Sequence, residues 1–145
     1  MNQMGVVVRA LLVVLIAGCL GCGSQSDYTG EKRFPVSGTV NFGGEPIPNG
    51  MISLIPEDGK SNPAGGPIEN GAFKIPADKG PNKASYRVAV YWHKPTGKKK
   101  IDPDTDEQID EVEQVIPAKY NDATELSVVV TGDPESDVMK FNLDE

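Results

Sequence analysis

PVSGTVNFGGEPIPNGMISLIP, residues 35–56, is the stretch whose reading decides the fold. Val36, Gly38, Val40 and Phe42 alternate with Ser37, Thr39 and Asn41, the two-residue period of a half-buried strand. Ile52 and Leu54 begin the same pattern again. Between the two runs, Gly43-Gly44-Glu45-Pro46-Ile47-Pro48-Asn49-Gly50 mixes residues that tolerate positive φ with prolines that fix φ at a turn value. Asn49-Gly50 is the strongest turn dipeptide among them. The stretch predicts a β-hairpin with a long loop, in an all-β domain.

Working outward, residues 57–66 read as a loop, and Asn70-Gly71 predicts a tight turn into a short strand with Phe73 and Ile75 inward. Residues 85–92, SYRVAVYW, place Tyr86, Val88, Val90 and Trp92 on one face and predict a central strand. Leu126, Val128 and Val130 mark another strand, and Met139, Phe141 and Leu143 the last. Short strands punctuated by Gly, Pro and Asn describe a single antiparallel, seven-stranded β-sandwich.

Residues 93–121 break the pattern. Lys94, Lys98, Lys99 and Lys100 form a basic run, followed by an acidic one from Asp102 to Glu113. Ile109, Val112 and Ile116 recur at near-helical spacing, so a short helix is expected in this charged insertion, capped near Thr105 and ended by Pro117. Asp102, Asp104, Asp106, Asp110 and Glu113 fall at the spacing of a calcium loop, whose carboxylates converge on a hard cation. Glu107 stands where that loop needs glycine, and the competing reading is a solvated acidic loop paired with the lysine run. These five acids are a weak calcium candidate; no other cofactor is expected.

The N-terminus reads as a targeting segment, residues 1–22. Arg9 precedes an apolar run, Ala10 to Gly18, too short to span a bilayer of ~30 Å as a helix. An uncleaved membrane anchor is the alternative. Ile16-Ala17-Gly18-Cys19 resembles the bacterial lipobox, in which small residues precede the cysteine that accepts a diacylglycerol. Cys19 is therefore the candidate lipidation site, with Cys22 the runner-up. Leu20, rather than aspartate, after Cys19 implies by the same resemblance sorting to the outer membrane. Residues 23–33 are polar and aperiodic and read as a flexible tether, which leaves residues 34–145 as the folded domain.

Composition removes several function classes. The 145 residues carry a net charge of -7, and losing Arg9 makes the rest more acidic still, which opposes nucleic-acid binding. Both cysteines precede the domain, and His93 is the single histidine, so neither a disulfide framework nor a histidine-based triad or metal site can form within one chain.

The Pro35–Val40 strand, the Gly44-Glu45-Pro46-Ile47-Pro48-Asn49-Gly50 turn and the Tyr86–Val90 strand resemble the carboxypeptidase regulatory-like (transthyretin-like) β-sandwich domain of bacterial envelope lipoproteins. Ala84 stands where that family has glycine. The resemblance implies a non-catalytic accessory, structural or protein-interaction module on a lipid anchor, with an envelope protein or polysaccharide as partner. Tyr91, Trp92 and His93 are the candidate binding residues, an aromatic platform for sugar or peptide, against the plainer reading of Trp92 as core. Tyr86 resembles the tyrosine that anchors strand corners through its hydroxyl.

Overall fold

In the computed structural model, which describes residues 30–145, alternation closes around one apolar interior. The strands are β1 (Val36–Phe42), β2 (Glu45–Pro46), β3 (Asn49–Pro56), β4 (Ala64–Glu69), β5 (Ala72–Ile75) and β6 (Ala84–Tyr91). There follow β7 (His93–Ile101), β8 (Gln108–Gln114), β9 (Ser127–Val130) and β10 (Val138–Leu143). Helical backbone among the described residues is limited to two single 3-10 turns, Ala77–Lys79 and Ala118–Tyr120. The domain is all-β.

Its architecture differs from the expected seven-stranded, two-layered sandwich. Eight strands form one continuous sheet, ordered β10-β1-β5-β4-β3-β6-β9 with β2 beside β1, which curls into a half-barrel. β7 and β8 pair only with each other, as a second, two-stranded sheet. The pairing is not wholly antiparallel, because β10 lies parallel to β1 from Ser37↔Val138 to Phe42↔Leu143.

The expected first hairpin is also corrected. β1 and β3 are separated in the sheet by β5 and β4. The turn after β1 is Gly43-Gly44, both at positive φ, so Phe42 pairs with Glu45 across a two-residue loop. Ile47 then drops into the core and carries the chain to the start of β3. Asn49-Gly50 is no turn: both residues lie in β3, and a Cβ on Gly50 would stand 2.6 Å from the Tyr91 carbonyl oxygen. Glycine is needed there for close approach, not for a bend. Asn70-Gly71 does turn, with φ of 50° and 75°, between β4 and β5.

Val36, Val40, Ile52, Leu54, Phe73, Ile75, Val88, Val90, Met139, Phe141 and Leu143 face the interior, as alternation requires. Gly38 shares that face, where a Cβ would meet the Met139 carbonyl oxygen and the Phe73 ring. Tyr86 is fully buried at the ring, while its hydroxyl accepts the Asn82 backbone N–H (3.0 Å) and donates to the Asn62 carbonyl (3.1 Å). Asn82 is itself 1% exposed. Its Oδ1 accepts the Asn62 backbone and side-chain N–H groups, and its Nδ2 donates to the carbonyls of Glu31 and Lys32.

Glu31–Glu145 form one compact unit, in which Asn82 holds the carbonyls of Glu31 and Lys32, near the end of the expected tether, and the Phe34 N–H donates to the Pro81 carbonyl. The expected signal segment, Cys19, Cys22 and the first part of the tether lie outside the described residues.

Burial holds the Tyr86 hydroxyl above the ordinary tyrosine value of 10.0, chiefly by desolvation. A raised folded value contributes stability present below the unfolded value and lost as pH rises through the folded one. Unfolding stability should therefore fall above pH 10, the ordinary value, and the fall attributable to this group should vanish in Tyr86→Phe. At neutral pH Tyr86→Phe should cost about 1–3 kcal/mol, because it leaves the buried Asn82 N–H unpaired, and Tyr86→Ala about 3–5 kcal/mol. Urea denaturation checks all three; a loss below about 0.5 kcal/mol in Tyr86→Phe would contradict the clamp.

Candidate functional site

The site proposed from sequence lies where β6 runs out of the sheet and into the β7–β8 ribbon. Trp92, between the two strands, is pinned through its backbone: its N–H donates to Gln114 Oε1 (2.8 Å) and its carbonyl accepts from Val115 (2.9 Å). Gln114 Oε1 also takes the Ile116 N–H, and its buried Nε2 has no hydrogen-bond partner among the described residues.

Successive residues of an extended chain point to opposite sides, and that separates the three candidates. The Tyr91 and His93 rings stack parallel on the outer side, centroids 6.4 Å apart. The Tyr91 hydroxyl donates to the Asp122 carboxylate at 3.1 Å. Its pKa is raised, first by desolvation and then by that carboxylate. Trp92 turns the other way, packs against the core and meets Phe42 edge-to-face. Lys94 Nζ sits 3.9 Å from the Trp92 ring centroid, a cation–π contact that covers one ring face. The three-ring platform is therefore not assembled, and Trp92 reads as a half-buried packing residue.

The charged insertion folds as strands rather than around a helix. Ile109 and Val112 lie on opposite faces of β8, and Ile116, beyond the ribbon, is buried in the core. Apolar residues three and four apart fit both readings, and here the lysine-rich β7 supplies a backbone partner. The Asp102 carboxylate accepts the N–H groups of Asp104 and Thr105, closing the ribbon tip instead of starting a helix. Lower down, the register shifts between Pro95 and Lys99, with Gly97 at positive φ and Thr96 Oγ1 donating to Glu111. That bulge sets Lys99 opposite Asp110, Nζ to Oδ1 2.6 Å.

The calcium candidates are scattered by the same geometry. Asp102, Asp104 and Asp106 stand at the tip, Asp110 is held by Lys99, and Glu113 lies on the opposite face of β8 from Asp110. Among the described residues no three His, Cys, Asp or Glu side chains are grouped to hold a metal ion.

Sequence reasoning missed a shallow groove of about 530 Å³ on the outer side of β3 and β4, walled by Tyr91 and Ile55 and edged by Arg33, Asp78 and Lys79. Its floor includes Ser53, Ala64 and Gly65. The signal was the run of small residues at 64–66, read as loop when it belongs to β4. Comparison with protein-family models, with curated proteins and with solved structures gives no match.

Two outcomes test this geometry. Trp92→Ala should destabilise the domain by about 2 kcal/mol, since it empties a half-buried ring site against Phe42. Lys99→Ala should change stability by less than about 1 kcal/mol, because both partners of that ion pair are more than half exposed, at 51% and 60%. Urea denaturation measures both, and reversal of that order would contradict the assignment of Trp92 to packing.

Proposed function

We propose that the chain is an envelope lipoprotein: a non-catalytic β-domain held at the membrane, in the outer membrane of a two-membrane cell, by acylation of Cys19. In this reading the β7–β8 ribbon is the contact element. Kinship with the carboxypeptidase regulatory-like β-sandwich modules belongs to the same reading, resting on the Pro35–Val40, Gly44–Gly50 and Tyr86–Val90 resemblances.

The observation that carries the reading is the ribbon itself. It spends 22 residues, His93 to Gln114, on two strands and the tip between them, and neither strand pairs with the main sheet. Every residue of β7 except Thr96 is exposed. Structure that adds so little to the core is explained by what it touches outside. The Ile16-Ala17-Gly18-Cys19 motif supports the anchor, and it stands twelve residues before Glu31, where the folded unit begins.

A second reading takes the groove beside Tyr91 as a seat for an extended peptide or glycan, favoured by the half-buried Tyr91 ring that walls it and stacks on the exposed His93. Glycan-array or peptide binding abolished by Tyr91→Ala would select it.

In cells, Cys19→Ser should abolish fatty-acid labelling and leave the precursor unprocessed, whereas Cys22→Ser should leave both intact; normal labelling of the Cys19 variant contradicts the anchor. A photo-crosslinker at Val112 on the ribbon should capture a protein neighbour, and one at Val138 on β10 should not. Equal yields from the two positions would remove the ribbon as contact element.

A further inference from the structure

The groove on the outer side of β3 and β4 owes its shape to register. Ser53 faces Gly65 on β4 and Ala89 on β6, so three small residues stand in one row across the strands. The row beside it, Pro67, Met51 and Tyr91, is large, and on the other side stand Ile55 and Arg87. A trench therefore crosses the sheet, and its volume of about 530 Å³ lies within the range of small-ligand sites. Tyr91 walls it at β6. Arg33, with Asp78 and Lys79 from the 3-10 turn after β5, edges it on the side away from β6.

The backbone decides what kind of chain fits. An extended peptide binds a sheet by adding a strand to an open edge. β3 has no such edge, because it is paired with both β4 and β6. β4 is paired with β5 only at Ile68 and Glu69, so its first half is open. Pro67 carries no N–H, however, so its pairing with Met51 is a non-hydrogen-bonded one, and Gly65, two residues earlier, likewise turns its N–H away from β3. Between Pro63 and Pro67 that leaves one outward donor, too few for a ladder. A glycan needs no ladder. Its hydroxyls take side-chain partners and its C–H faces take an aromatic wall, which Ser53, Asp78 and the Tyr91 ring supply.

Charge narrows the class. Arg33 and Lys79 stand against the single acid Asp78 at this rim, in a chain whose net charge is -7. Lys79 is exposed and in no ion pair among the described residues, and Arg33 Nη1 donates to the Gly80 carbonyl (3.5 Å), which keeps the guanidinium at the edge. At the opposite wall the Asp122 carboxylate, which accepts the Tyr91 hydroxyl, is an acceptor for hydroxyls and repels acids. We propose that the groove binds an acidic glycan, a short run of uronic-acid sugars with one ring packed on Tyr91 and a carboxylate held between Lys79 and Arg33. The inference rests on the groove reading and on neither the ribbon nor the lipid anchor.

An array of galacturonate, glucuronate and mannuronate oligosaccharides beside their methyl esters, followed by titration calorimetry of the bound ones, tests it on the full-length chain in polyoxyethylene detergent. At least one acidic oligosaccharide should bind, and its methyl ester, with the same rings and no charge, should bind at least about tenfold more weakly. Lys79→Ala should weaken the acid about fivefold or more and leave the ester unchanged. Tyr91→Ala should abolish binding, whereas Tyr91→Phe, which keeps the ring, should retain it. Lys99→Ala, a cation on the ribbon, should change nothing. Melting curves establish that each variant is folded. Acid and ester bound equally, or a peptide bound where no sugar is, with Tyr91→Ala abolishing either, overturns the acidic class and leaves the groove reading standing. An array with no acidic oligosaccharide bound, binding indifferent to Tyr91→Ala, or a loss in Lys99→Ala equal to that in Lys79→Ala overturns the proposal.

Discussion

The clamp between Tyr86 and Asn82 is the constraint from which the remainder of the domain follows. A buried amide and a buried phenol are tolerable only when every polar atom finds a partner, and here each does so by holding a different piece of backbone. Asn82 fastens the entering chain at Glu31 and Lys32; Tyr86 fastens the β3–β4 loop at Asn62 while its ring fills the core. Three chain segments far apart in sequence are thus fixed at one end of β6. The neighbouring Phe34 ring, with Lys32 and Lys83 ammonium groups each 5.2 Å from its centroid, seals the entry. Once the entry segment is fixed, β1 is delivered to its place between β5 and β10, and the last strand can close against the first.

At its other end β6 leaves the sheet, and the physical logic changes. Trp92 and Gln114 tie the root of the ribbon to the body, after which β7 and β8 depend on each other alone. The Thr96–Gly97–Lys98 bulge fixes which lysine meets which acid, and so which side chains share a face. A shift of one residue would exchange the two faces of the ribbon. Exposed lysines along β7 also keep its open edge from pairing indiscriminately.

Much of this was legible in the residues. The alternation of Val36 and Val40, of Ile52 and Leu54, and of Tyr86, Val88 and Val90 gives the inward set directly, and Asn70-Gly71 turns where its φ preferences say it must. The errors share a cause: one residue pattern serves two physical demands. Gly50 is small for the sake of the Tyr91 carbonyl, and Ile109, Val112 and Ile116 fit a helix as well as a strand followed by a core anchor. Parallel pairing of β1 with β10 joins residues about a hundred positions apart, as in the Asn41–Asn142 side-chain bond, and no local pattern announces it. At the candidate site the adjacency of Tyr91 and His93 follows from alternation, but Lys94 over Trp92 depends on a side-chain conformation that spacing does not specify.

The proposed reading divides the labour, with a core that closes without the ribbon and a ribbon left for contact. Replacing residues 95–112 by Asn-Gly, which joins Lys94 to Glu113 through a two-residue turn, separates the two directly. The account predicts that thermal and urea unfolding of the shortened chain stay a single cooperative transition, with tyrosine absorbance and sheet circular dichroism preserved. Loss of that transition, or a molten sheet signal, would show that the ribbon is part of what folds the domain and would contradict the account.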